Sequence, residues 1–117
     1  MNRIIIVEDD PGIREAVGFV FNPQQYEVTV LADGSSLLSG NFDPPDIFII
    51  DKQLPGVDGI DLCRHLKQQE LTRDIPVIIM SASTHAQKSA KLAGAAHFIE
   101  KPYTLNTIRE TVSKYVN

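Results

Sequence analysis

Asp46-Ile47-Phe48-Ile49-Ile50-Asp51 runs directly into Lys52-Gln53-Leu54-Pro55-Gly56. A short apolar run closed by Pro-Gly reads as a buried strand ended by a turn. Inside a sheet the Asp51 carboxylate would be stripped of water at high cost, so the strand must end at an open tip with Asp51 on it. Three other runs share this form. Ile4-Ile5-Ile6-Val7 is followed by Glu8 and Asp9, Val77-Ile78-Ile79-Met80 by Ser81, and His97-Phe98-Ile99-Glu100 by Lys101. Acids, a hydroxyl and a cation at four strand tips are the ingredients of a phosphoryl-transfer site.

Helical patterns fill the gaps between the strands, and strict alternation predicts an α/β fold on a parallel sheet. The first strand is read over 3–7. The first helix opens at Asp10 or Pro11, with Asp10 as its cap, Ile13, Ala16, Val17 and Val20 as its inner face, and Asn22-Pro23 as its stop. The second strand covers 26–31, and its alternation of Val28 and Val30 with Glu27 and Thr29 suggests a sheet edge. A short second helix spans 34–39, and a third spans 58–69 with Asp58 as cap and Leu62, Cys63 and Leu66 inward. The fourth strand opens at Pro76, and a fourth helix, Ala-rich, covers 84–93. The fifth strand is read over 96–100. A last helix begins at Thr104 with Leu105, Ile108, Val112 and Tyr115 on one stripe.

The 117 residues suit one domain with a real core, and 43% hydrophobic with 22% charged residues is an ordinary globular composition. A net charge of −4 argues against nucleic acid as a partner. The single cysteine, Cys63, excludes an internal disulfide and points to a reducing cytoplasm. No signal peptide and no membrane-spanning run is visible, and no stretch is left over for an effector domain.

In an open parallel sheet wound on both faces, ligands bind outside the strand C-termini where neighbouring connections diverge. For strand order 2-1-3-4-5 that crevice lies between the first and third strands, where Glu8, Asp9 and Asp51 meet. Three adjacent carboxylates repel, and a divalent cation relieves the repulsion. All-oxygen ligation with room for water and phosphate suits Mg²⁺. Asp9 and Asp51 are the expected carboxylate ligands, Gln53 adds its backbone carbonyl, and Glu8 acts through water. Lys101 neutralises an incoming phosphoryl group, the Ser81 hydroxyl donates to it, and Asp51 is the nucleophile.

The segments Ile5-Ile6-Val7-Glu8-Asp9-Asp10, Asp51 to Gly59, Met80-Ser81-Ala82 and Lys101-Pro102 together resemble the receiver domain of bacterial two-component response regulators. The resemblance covers residues 1–117 as a single domain and implies the flavodoxin-like three-layer sandwich, a five-stranded parallel sheet with five helices. It implies a phosphorelay role rather than an enzyme's, apart from self-phosphorylation from a phosphodonor and slow autodephosphorylation. Asp51 would receive its phosphoryl group from a sensor histidine kinase or a histidine phosphotransfer protein, with Mg²⁺ required. Ser81 and Phe98 would form the switch, the Lys101–Pro102 peptide would be cis, and the output surface would comprise the fourth helix, fifth strand and fifth helix. Pairing of two copies through the fourth and fifth helices is compatible with that picture. Glu8 stands where the family more often has Asp, Ser81 where Thr is commoner, and His97 where a small residue is frequent. Phe98 lacks the hydroxyl of the family's alternative Tyr.

Several other readings are weaker. Asp10 serves as a helix cap before it serves a metal. Lys52 points away from Asp51 and reads as a solvated charge. Cys63 reads as packing, and His65, His85 and His97 share no zinc spacing. A Mg²⁺-dependent phosphohydrolase would want an acid where Gln53 stands. A flavin carrier would want a hydroxyl-rich loop where Glu8-Asp9-Asp10-Pro11 stands. The main alternative is a receiver-fold interaction module that is not phosphorylated.

Overall fold

The computed structural model describes residues 1–116. Its strands are β1 (Asn2–Val7), β2 (Tyr26–Leu31), β3 (Ile47–Asp51), β4 (Val77–Ser81) and β5 (His97–Glu100). They alternate with α1 (Pro11–Gly18), α2 (Ser35–Ser39), α3 (Gly59–Gln68), α4 (Ala86–Leu92) and α5 (Leu105–Tyr115). All strand pairs are parallel and the order is β2-β1-β3-β4-β5, the expected flavodoxin-like sheet.

The period of two along each inner strand sorts its residues between two cores. Ile5, Val7, Phe48, Ile50, Val77 and Ile79 face the layer formed by α2, α3 and α4, where they meet Leu37, Leu62 and Leu66. Ile4, Ile6, Ile47, Ile49, Ile78 and Met80 face α1 and α5 and meet Val17, Ile108 and Val112. These strand residues are buried on both faces, which is why their sequences read as continuous apolar runs. β2 is half-buried on alternate residues, as an edge strand should be.

Helix ends depart from the sequence reading. α1 stops at Gly18 rather than at Asn22-Pro23, and Val20 lies beyond it in the turn that follows. That turn brings Phe21 into the core, edge-on to Tyr26 with ring centroids 5.2 Å apart. α4 begins at Ala86, two residues later than expected, because His85 offers no side-chain cap and residues 83–87 close a tighter turn first. On α5 the inward stripe is Ile108, Thr111 and Val112, while Leu105 and Tyr115 remain partly exposed at its ends. Thr111 is tolerated inside because its hydroxyl donates to the Thr107 carbonyl at 2.8 Å.

Candidate functional site

The parallel register sets the site. Val7 lies opposite Ile50 and Asp51 opposite Met80, so Glu8 and Asp51 leave adjacent strand tips. Ser81 lies opposite Glu100, and Lys101 N–H donates to the Ser81 carbonyl at 2.8 Å, which brings the next residue of β5's tip to the same rim.

Glu8, Asp9 and Asp51 each offer an oxygen, and these oxygens lie within 4.8 Å of one another. Glu8 and Asp51 are buried, whereas Asp9 is exposed. The Lys101 ammonium sits 3.0 Å from Asp51 Oδ1 and 3.6 Å from Glu8 Oε1. Glu8 Oε2 accepts the Asp10 N–H at 3.3 Å, but Oε1 is buried with no hydrogen bond. With only the Lys101 ammonium at 3.6 Å facing that oxygen, three acids against one cation leave the site short of positive charge. Burial first, and the charge of Asp51 second, push the Glu8 carboxyl up to about 7. Burial draws the Lys101 ammonium downward, but its hydrogen bond to Asp51 and the two nearby acids outweigh that and leave it raised. The all-oxygen set, the charge deficit and the open side at Asp9 fit a hard divalent cation.

The supporting contacts explain the placement. Arg14 on α1 donates to the Glu8 and Asp9 carbonyls at 3.1 and 2.9 Å, which folds the acidic turn onto the helix. Asp10 caps α1 through Gly12 and Ile13 N–H at 2.8 and 3.1 Å, as the sequence indicated. Ser81 is buried at the tip of β4, and its Oγ accepts the Ser83 N–H at 3.0 Å. That leaves its O–H available to donate. The Lys101–Pro102 peptide is cis. Gln53 is exposed in the turn after Asp51. Phe98 is half-buried against the α3–α4 side of the core.

Lys52 is a correction. It is half-buried rather than solvated, and its ammonium binds Asp58 Oδ2 at 2.8 Å. Strand alternation could not foresee this, because the chain turns immediately after Asp51. Gly59 entered the sequence reading only as the last residue of the Asp51 to Gly59 segment, with no role of its own. A Cβ built there would lie 2.1 Å from the Asp51 carbonyl oxygen, so only glycine lets α3 start against the end of β3. The sequence reading overlooked Tyr103, whose phenol burial pushes upward in pKa. Tyr103 lines an apolar groove of about 560 Å³ with Ile13, Ala16, Pro102 and Leu105, and Lys101 forms its wall on the acidic side. Cys63 is packing, as read: its thiol is buried against the Ala93 carbonyl, and burial pushes it up to about 11. No helix among the described residues is long and apolar enough to cross a membrane.

The sequence matches the family model for the response regulator receiver domain over residues 4–113. It is 35% identical over 105 residues to the phosphate regulon transcriptional regulatory protein PhoB of Escherichia coli, covering 87% of this chain but 46% of PhoB. The chain therefore spans about half the length of that relative. It is also 35% identical over 118 residues to sporulation initiation phosphotransferase F of Bacillus subtilis, covering 97% of this chain and 93% of the relative. Among solved structures, the receiver domain of sensor histidine kinase PA1611 from Pseudomonas aeruginosa has a magnesium ion coordinated in its active-site cleft. It superposes with a TM-score of 0.85 at 25% identity, covering 97% of this chain and 96% of that one.

Proposed function

The chain belongs to the response regulator receiver family of two-component signalling, and from that premise we propose that it carries a signal by accepting a phosphoryl group on Asp51. Residues 1–117 act as one receiver domain. The donor is a phosphohistidine of a sensor histidine kinase or of a histidine phosphotransfer protein. The observation that carries this reading is the Lys101 ammonium 3.0 Å from Asp51 Oδ1, with Glu8 and Asp9 completing an acidic cluster within 4.8 Å.

Asp9 and Asp51 would hold Mg²⁺ by carboxylate, Gln53 by its backbone carbonyl and Glu8 through water. When bound, Mg²⁺ supplies the charge that lets a phosphate approach three acids. The Asp51 oxygen forms the new O–P bond as the P–N bond of phosphohistidine breaks, and the departing imidazole nitrogen takes up a proton. Lys101 neutralises charge on the transferring group, and Ser81 O–H donates to one of its oxygens. The apolar groove beside Lys101 offers the donor protein a dry surface next to the reacting carboxylate. Reorientation of Ser81 toward the phosphoryl group then admits Phe98 and reshapes the α4–β5–α5 surface. The chain acts stoichiometrically, with slow autodephosphorylation, in the cytoplasm. It needs no nucleic acid of its own, and two copies can pair through α4 and α5.

Incubation with acetyl phosphate and Mg²⁺, followed by intact-mass measurement, tests the proposal. One added phosphoryl group is expected, labile to alkali, absent in Asp51→Asn and lost with a chelator. Absence of any adduct in the wild type would instead support a receiver-fold interaction module.

A further inference from the structure

We propose that Lys52, Asp58 and Gly59 form a clasp that positions the Asp51 carboxylate for attack; this rests on Asp51 being the phosphoryl acceptor. Asp51 is the last residue of β3, and beyond it the chain leaves the sheet in an exposed turn through Pro55 and Gly56. A nucleophile on the last residue of a strand takes its orientation from whatever holds the turn beyond it. Four contacts close the turn back onto the tip. Lys52 N–H donates to the Met80 carbonyl at 2.8 Å, and Gly59 N–H donates to the Lys52 carbonyl at 2.7 Å. The Asp58 carboxylate is used at both oxygens: Oδ1 accepts the Ile60 N–H at 2.8 Å as the cap of α3, and Oδ2 accepts from the Lys52 ammonium at 2.8 Å.

Asp58 therefore joins the first turn of α3 to the residue next to the nucleophile. Gly59 makes the join close: a Cβ there would meet Asp51 O at 2.1 Å and both Asp51 C and Lys52 Cα at 2.8 Å, all of them backbone atoms that cannot swing aside. The side chains of Lys52 and Asp58 are 28% and 36% exposed, and an ion pair so open to water contributes little to stability. Its value lies in geometry, because reaction rates fall steeply when a reacting group drifts by about an ångström. Lys52 and Asp58 are thus positioning residues: both carboxylate oxygens of Asp58 are engaged, one by the Ile60 N–H and one by the Lys52 ammonium.

The test is a double-mutant cycle of Lys52→Met and Asp58→Asn, the latter keeping a good helix cap. Phosphorylation by acetyl phosphate is followed at saturating Mg²⁺, and amide hydrogen exchange is read at Lys52 and Gly59. Each single variant should phosphorylate about tenfold more slowly, and the double variant no more slowly than either. Lys52→Arg should restore most of the rate. Exchange at both amides should quicken by about tenfold in each single variant. A pure charge effect would instead move the two single variants in opposite directions, since one removes a cation and the other an anion, and that result overturns the clasp. So does an additive double variant, or unchanged exchange at both amides. If Asp58→Asn fails to fold, Lys52→Met with its Arg rescue decides. If the wild type itself takes no phosphoryl group, the acceptor reading fails, and amide exchange alone decides whether the clasp holds the tip.

Discussion

Gly59 shows how much a missing methyl group can determine. Its backbone abuts the Asp51 carbonyl so closely that Gly59→Ala must push α3 away from β3 or twist the strand tip. We expect that variant to lose about 1–3 kcal/mol of stability in urea titration. Its phosphorylation rate should fall by more than about tenfold even under conditions where it is fully folded. Asp51, Glu8, Asp9, Ser81 and Lys101 were legible because each stands at or just past the end of an apolar run; the strand ends were expected to be open, yet Glu8, Asp51 and Ser81 are buried where those ends converge. The role of Gly59 and the pairing of Lys52 were not legible. A glycine's role depends on what approaches it in space, and an ion pair six residues apart across a turn has no periodic signature.

Among the elements, the strands were the most readable and the helix ends the least. Burial on both faces forces residues 4–7 of β1, 47–50 of β3 and 77–80 of β4 to be apolar, so the pattern survives any detail of the turns. The ends of α1 and α4 carry no such constraint. α1 has neither a C-terminal glycine in the left-handed region nor a basic residue in its last turn, and α4 has no side-chain cap at its start. The caps read in the sequence, Asp10 and Asp58, are formed, whereas Thr104, read as the first residue of the last helix, is instead the cap of α5. Thr104 Oγ1 accepts the Thr107 N–H at 3.1 Å, so Thr104→Ala should cost about 1 kcal/mol. Ile108, fully buried on the same helix, should cost about 2–5 kcal/mol on truncation to Ala. Thermal melts of the two variants, compared with wild type, check this ranking; equal losses would mean that α5 is held by its cap rather than by its packing.

For the whole molecule, a radius of gyration of 12.8 Å is close to the roughly 13 Å expected of one folded unit of this length. Its stability is tied to the acidic rim. Glu8 titrates at about 7 in the metal-free fold against 4.5 for a free glutamate, so between those values the folded chain holds a proton that the unfolded chain has released. With metal chelated, stability is therefore greatest below about 4.5, as far as this group is concerned, and declines as pH rises toward 7, by up to about 3 kcal/mol. Glu8→Gln should flatten that slope in urea titrations from pH 5 to 8. Added Mg²⁺ should stabilise the wild type more at pH 8 than at pH 5.5, because at the higher pH no proton competes for the carboxylate. A Mg²⁺ effect independent of pH would dissociate Glu8 from the metal.

The two-sided burial of β1, β3 and β4 has one more consequence. A slip of one residue between these strands would still set aliphatic against aliphatic on either side, so greasiness by itself does little to tell correct alignment from its neighbours. What the slip cannot tolerate is dragging Glu8, Asp51 or Ser81 in among the isoleucines. The residues proposed to handle phosphate would thus double as end-stops on a ladder whose rungs are otherwise interchangeable, with chemistry and assembly drawing on the same few side chains.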